Sequence, residues 1–413
     1  MLHVLTGPGC NNNCLFCMEA DRDGRDAAVQ AQTQDDVRQM IETYPNTDEI
    51  LFTSGEPTLN PDLLVYVGWA RAKGFRIIGL ITNGRRLAYA SYLSRLLKAG
   101  VNRITISIHG DSAALHDGLT RTPGSFEHSR AALLNLATAR KTWRVRIHTS
   151  TVITRRNLPH LASVYRFLCD GPTDQMVFNI MMAKGRGALH FTSMMPRYSD
   201  VVGAFQQLCA NLDERELARI KVVDVPACIL RGLPAQIRGE LEVFDQFERV
   251  GSTGLTEVAV RNPCSDIGLE SQRIPTDANG KLIPVEHLDD EWGDVHRPWW
   301  NPPWLARWSR RPLARTSPAG AASSVAIGED VEQLRARITG NQAEPGGAYY
   351  VTRRDLKDGY LRVKGPPCAS CSVASTCSGV WKVYVERHGW SEFEPVEAGR
   401  DAAAAPSPRR QER

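Results

Sequence analysis

Across residues 2–179, short apolar runs alternate with longer stretches whose apolar residues recur every three or four positions. The first pattern is that of buried strands. The second is that of helices with one face on a core. Leu2–Thr6 reads as a strand that runs into a turn at Gly7, Pro8 and Gly9. A helix is expected over Thr33–Thr43 and a strand over Glu49–Thr53. Asn60 and Pro61 open the next helix, which runs to Lys73 and stops at Gly74. Arg76–Ile81 is a strand, Ala88–Ala99 a helix stopped by Gly100, and Arg103–Ile108 a strand. Ser125 caps a helix that runs to Arg140; Arg144–Ile153, Leu158–Leu168 and Met176–Asn179 then read as strand, helix and strand. Strand and helix thus alternate six times, which builds a parallel sheet with helices outside. Six units fall short of a closed eight-unit barrel. An α/β fold with an open, partial (β/α)6 barrel is expected, with ligands at the carboxyl ends of its strands.

The alternation fades from about Pro196. Pro196–Leu212 looks helical and Ile220–Val225 looks like a strand. Residues 255–290 suggest short strands and turns, with Asn279-Gly280 as a hairpin candidate. Trp292, Trp299, Trp300, Trp304 and Trp308 crowd a Pro- and Arg-rich stretch, read as a lid on the main body in preference to a substrate platform. Ser317–Ser324 reads as linker, and the tail from Ala398 lacks periodicity. The expected division is a core at 1–215, a linking segment at 216–290, an insertion with linker at 291–347, a cysteine-bearing region at 348–397 and a disordered tail at 398–413.

Composition narrows the classes little. The chain has 413 residues, 42% of them hydrophobic, and a net charge of +4, too small to suggest a nucleic-acid partner. No window reaches the ~20 apolar residues of a membrane helix, and the first residues do not form a signal peptide. Ten cysteines in such a chain point to metal or free thiols in a reducing cytoplasm.

The cysteines fall into two groups. Cys10-Asn11-Asn12-Asn13-Cys14-Leu15-Phe16-Cys17 follows the first strand directly. A loop this short turns three thiolates onto one centre. Three thiolates complete three irons of a cubane and leave the fourth iron open. The loop resembles the signature of the radical S-adenosylmethionine (SAM) superfamily. Ser54-Gly55-Glu56-Pro57, after the second strand, looks like that superfamily's Gly-Gly-Glu-Pro element, which holds the amino group of SAM; Ser54 departs from the usual first glycine. Ser107 and His109, at the end of the fourth strand, sit where relatives contact the ribose or carboxylate of SAM, although a histidine there also suits a purely structural hydrogen bond. Asn83 is a further strand-end candidate, with turn formation as its alternative.

The second group is Cys368, Cys371 and Cys377. Cys228 is read as its fourth ligand, with Cys264 as the competitor, and Cys169 and Cys209 as buried thiols on helices. The segment Cys368–Val396 resembles the auxiliary-cluster extension of the SPASM and Twitch groups. It implies a second [4Fe–4S] cluster, with a zinc knuckle as the structural alternative. The resemblance implies that a reduced cluster on Cys10, Cys14 and Cys17 binds SAM and cleaves it to methionine and a 5′-deoxyadenosyl radical, which abstracts hydrogen from an unreactive carbon. A peptide is the first-choice substrate and a small molecule or cofactor precursor the second. A flavodoxin or ferredoxin is the expected reductant. The non-enzyme alternatives are an iron–sulfur electron carrier or redox sensor, and a zinc-binding interaction protein.

Overall fold

The computed structural model describes residues 2–7, 9–18, 34–44, 47–183, 185–238, 362–374, 377 and 379–397. Seven parallel strands form one sheet in strict chain order: β1 (Leu2–Leu5), β2 (Glu49–Thr53), β3 (Ile77–Thr82), β4 (Arg103–Ser107), β5 (Arg146–Ile153), β6 (Gln175–Ile180) and β7 (Ile220–Val223). The intervening helices are α1 (Gln34–Thr43), α2 (Leu63–Lys73), α3 (Ala90–Ala99), α4 (Ala113–Thr120), α5 (Ser125–Ala139), α6 (Leu161–Asp170), α7 (Arg186–Leu189), α8 (Phe191–Met194), α9 (Tyr198–Cys209) and α10 (Glu214–Ala218). Each strand pairs with its chain neighbour and the order never reverses, so the sheet is wound in one direction, as in a barrel. Among the described strands β1 and β7 do not pair, and the barrel is open.

The strand at Ile220–Val223 was expected, but the six-unit count left it outside the barrel; it extends the sheet beside β6, with Met176 opposite Ile220. The crossover into it is atypical, a run of short helices and α9 in place of one long helix, so simple alternation hides it. The helix at Ala113–Thr120 also escapes a periodicity reading, because it is short and contains Gly118.

Local chemistry explains the ends of the elements. Gly74 closes α2 with a φ of 95°, a conformation that costs other residues about 1 kcal/mol. Ser125 is not the cap of α5; it is the first helical residue. The Asp117 carboxylate does the capping, accepting from the main-chain N–H of Gly124 (2.7 Å) and Phe126 (2.7 Å) and from Ser125 Oγ (2.8 Å). Asn60 does not cap α2 either. Its Oδ1 accepts from Asp62 N at 2.7 Å in a turn just before the helix.

Strand β5 alternates between fully buried residues (Ile147, Thr149, Thr151, Ile153) and half-buried ones (His148, Ser150, Val152). That period of two separates the helix-covered face from the inner face of the barrel. At the amino ends of the strands Arg103 forms an ion pair with Glu49. A Cβ on Gly79 would lie 3.3 Å from that guanidinium and 2.8 Å from Leu51 Cδ1, so the glycine leaves the space the arginine fills.

The carboxyl-terminal extension comprises β8 (Arg362–Val363), β9 (Val380–Trp381) and α12 (Lys382–His388). It is packed on α9. The Tyr384 ring lies 4.5 Å from that of Tyr198 and 5.9 Å from Phe393. Tyr384 Oη accepts from Tyr198 N at 3.0 Å and donates to the Glu392 carboxylate. Glu392 also accepts from Ser199 N (2.9 Å) and Oγ (2.6 Å) and pairs with Arg197 at 3.2 Å. Burial opposes charge on Glu392, yet the Ser199 and Tyr384 hydrogen bonds outweigh it and hold the carboxyl below its usual value. Among the described residues no helix is long and apolar enough to cross a membrane.

Candidate active site

The first cysteine loop leaves the carboxyl end of β1 and is pinned from several sides. Asn13 N and Leu15 N donate to the Thr120 and Leu119 carbonyls at the end of α4, at 2.9 and 3.0 Å. Cys17 N donates to Cys14 O at 3.3 Å, and Asn12 N to Cys10 Sγ at 3.4 Å. Cys10, Cys14 and Cys17 are all free thiols. Burial first, then the neighbouring Cys17 and Cys10, pushes the Cys14 thiol far above its usual value, so the three sulfurs share one electrostatic environment. Arg186, at the start of α7, reaches across to Asn13 Oδ1, and Gly187 N donates to Cys17 O at 3.3 Å. These contacts join the ends of β1 and β6, which lie five places apart in the sheet; only a strongly curled sheet brings them together.

Ser54 and Gly55 turn the chain at the end of β2 with φ of 84° and 55°. Ser54 stands in the left-handed region without being glycine, and its Oγ donates to Gly7 O at 3.3 Å. Glu56 is only 2% exposed. Its Oε1 accepts from Thr58 N (3.1 Å), Thr58 Oγ1 (2.6 Å) and Thr82 Oγ1 (2.5 Å), and its Oε2 from Asn83 N (2.6 Å). Burial pushes the carboxyl above its usual value, and those four donors offset that only in part. The carboxylate therefore ties the end of β2 to the end of β3. Glu56 N also donates to Gly9 O at 2.7 Å, which fixes this turn against the start of the cysteine loop.

Asn83 does form a turn: its Oδ1 accepts from Arg85 N at 3.0 Å. Its Nδ2 also donates to Asn11 Oδ1 of the cysteine loop at 2.6 Å. His109 is held by the main chain, with Nδ1 accepting from Val152 N at 3.2 Å. Its ring meets Phe16 of the loop edge-on at 4.6 Å. Burial, then His116, keeps it neutral, its pKa well below the usual value. The hydrogen-bonded structural role thus has direct partners. Ser107 ends β4 opposite Ser150 of β5, whose Oγ accepts from Asn179 Nδ2 at 2.8 Å, giving a polar row on the inner face. Ser54, Gly55, Glu56, Asn83, Ser107 and His109 all fall at the carboxyl ends of β2, β3 and β4, on the side of the three cysteines.

Sequence reasoning passed over Thr58, Thr82, Arg85 and Arg186. Their one signal is position, since each lies at or just after a strand end.

The second group converges too. Cys228, at the start of α11 (Ala227–Leu230), lines one cleft with Cys368, Cys371 and Cys377, together with Lys364 and Phe393. Burial, then Cys377, Cys368 and Cys371, pushes the Cys228 thiol up to about 12. Val396 N donates to Cys371 Sγ and Gly379 N to Cys377 Sγ, each at 3.4 Å, the kind of main-chain bond that supports a metal-bound thiolate. Cys264 and the tryptophan-rich stretch lie outside the described residues. Cys209 is buried and its thiol pushed up to about 11; Cys169 is half-buried and accepts from Arg219 Nη1 at 3.6 Å.

Residues 4–168, about two fifths of the chain, match the model of the radical SAM superfamily. Members of that superfamily use a [4Fe–4S] cluster and SAM. AdoMet-dependent heme synthase of Oleidesulfovibrio alaskensis is 31% identical over 183 residues, 43% of this chain and 45% of that protein. The 7,8-dihydro-6-hydroxymethylpterin dimethyltransferase of Methanocaldococcus jannaschii is 35% identical over 108 residues, 25% of this chain and 21% of that one. The crystal structure of Streptococcus suis SuiB aligns with a TM-score of 0.44 at 13% identity, covering 71% of this chain and 66% of that one. The matched stretch spans about half the length of the heme synthases.

Proposed function

We propose that this chain is a radical SAM enzyme that oxidatively modifies an unreactive carbon of a peptide, with a second, auxiliary [4Fe–4S] cluster in its carboxyl-terminal extension. The observation that carries the reading is the gathering of two free-thiol sites on one scaffold, three sulfurs in the loop after β1 and four in the cleft beside β7. The three-sulfur set fits a cubane with one open iron. The four-sulfur set fits a closed cluster. Among the described residues no three His, Cys, Asp or Glu side chains converge tightly enough for a single metal ion.

A bound cluster and SAM supply one-electron cleavage of the sulfonium and hydrogen abstraction from carbon. The chain's own residues arrange the space around that event. The turn at Ser54 and Gly55 lies at the mouth, and Glu56 and Asn83 tie it to the cysteine loop. Ser107, Ser150 and Asn179 offer neutral polar groups on the inner face, where the ribose or carboxylate of SAM would be bound. His109 serves as a neutral group locked beside Phe16. A closed auxiliary cluster suits an electron acceptor or a structural support. The free thiols suit a reducing cytoplasm, and a flavodoxin or ferredoxin is the proposed reductant.

A second reading keeps the chemistry and changes the substrate to a small molecule or cofactor precursor. The activities named for two similar proteins, heme synthase and pterin dimethyltransferase, favour it. Mass spectrometry of candidate peptides and precursors incubated with reduced enzyme and SAM separates the two readings. Cys228→Ala tests the auxiliary site: iron content after anaerobic reconstitution should fall from about eight per chain towards four, and unchanged content and turnover would remove Cys228 from the ligand set.

A further inference from the structure

We propose that Arg85 and Arg186 are positioning residues that clamp the Cys10–Cys17 loop and favour the reduced state of the cluster it holds. This rests on the reading of that loop as the cluster site.

The two arginines come from different parts of the barrel. Arg85 follows β3, and its Nη1 donates to the main-chain oxygen of Asn11. Arg186 opens α7 after β6, and its Nη1 donates to Asn13 Oδ1. The two contacts fall on either side of Asn12, whose N–H donates to Cys10 Sγ at 3.4 Å. Both guanidiniums are half-buried. Both bond to neutral amide oxygens. Among the described residues neither lies within ion-pairing distance of a carboxylate. Asp117 and Glu56 also act electrostatically on Arg85, after Cys10, so its charge is offset only in part. Arg85 acts electrostatically on Cys10, and Arg186 on Cys14.

A guanidinium stays charged at every working pH. A cubane held by three thiolates is anionic and gains one further negative charge when it accepts an electron. A fixed cation beside the loop stabilises the reduced form more than the oxidised one, and net charge and hydrogen bonding are among the levers on such potentials. The hydrogen bonds set how far the cations stand from the sulfurs. Lysine would supply the charge without the planar fork.

The test uses the full-length chain, reconstituted anaerobically, with iron and sulfide analysis and a potentiometric titration followed by electron paramagnetic resonance. The signal absent from Cys14→Ala identifies the first-loop cluster. Arg85→Gln and Arg186→Gln together should lower the reduced-to-oxidised ratio at fixed potential about tenfold, which is about 59 mV for one electron. Arg85→Lys and Arg186→Lys should stay within about threefold of the parent. Glutamine variants with full cluster content and an unmoved potential overturn the proposal. If the glutamine variants lose the cluster, the lysine variants decide: retention near the parental potential upholds it, and loss there too overturns it. A parent chain that assembles no first-loop cluster overturns both the proposal and the reading beneath it.

Discussion

Replacing Glu56 by glutamine separates a structural carboxylate from a ligand-binding one. The native carboxylate accepts four hydrogen bonds, three on Oε1 and one on Oε2, from donors that are themselves buried: Thr58 is 0%, Thr82 2% and Asn83 8% exposed. Glutamine can keep its oxygen in the Oε1 position and retain three of these bonds without the charge. Its amide NH2 then faces Asn83 N–H, donor against donor. Losing one charge-assisted bond and stranding a buried N–H costs about 2–4 kcal/mol. Alanine strands all four donors and costs more. Denaturant unfolding of the chain without SAM, under anaerobic conditions, measures the loss directly. A Glu56→Gln variant within ~0.5 kcal/mol of the parent would refute the argument. If it bound SAM poorly at the same time, the carboxylate would be a ligand contact and not a tie between strands.

Other outcomes follow from the same geometry. Ser54→Gly and Ser54→Ala both lose the hydroxyl bond to Gly7, but only glycine relieves the φ of 84°, so the glycine variant should be the more stable by about 1 kcal/mol; equal stabilities would mean the turn carries no strain. Tyr384→Phe removes a donor to Glu392 and an acceptor for Tyr198 N, and should loosen the extension by about 1–3 kcal/mol, seen as faster hydrogen exchange over residues 380–396. The Glu392 carboxyl is held below its unfolded value. Its contribution to docking is therefore full above about pH 4.3 and fades as pH falls through the folded value; docking insensitive to acid would contradict that role.

Much of this could be read from the chain because strand and helix report different periods. Apolar runs marked β1 to β6, and Gly74 and Gly100 marked helix ends where a positive φ is required. The polar residues at strand ends were visible as candidates because a parallel sheet binds at that side. Their partners were not. Glu56 read as a free acceptor, since nothing local reveals that Thr82 and Asn83, from the next strand, would saturate it. Arg186 stands 173 residues from Asn13, and only the curl of the sheet brings them together. Cys228 shares one cleft with the distant cysteines, but the docking of Tyr384 on Tyr198 beside them had no sequence signal. The capping of α5 by Asp117 was missed for the same reason: the carboxylate sits seven residues before Gly124.

The most direct test of the central claim is reductant-dependent cleavage of SAM by the anaerobically reconstituted chain. The account predicts 5′-deoxyadenosine and methionine in the presence of dithionite, none without it, and none from Cys10→Ala, Cys14→Ala or Cys17→Ala. Full iron loading of the first loop with no cleavage under any reductant would contradict it.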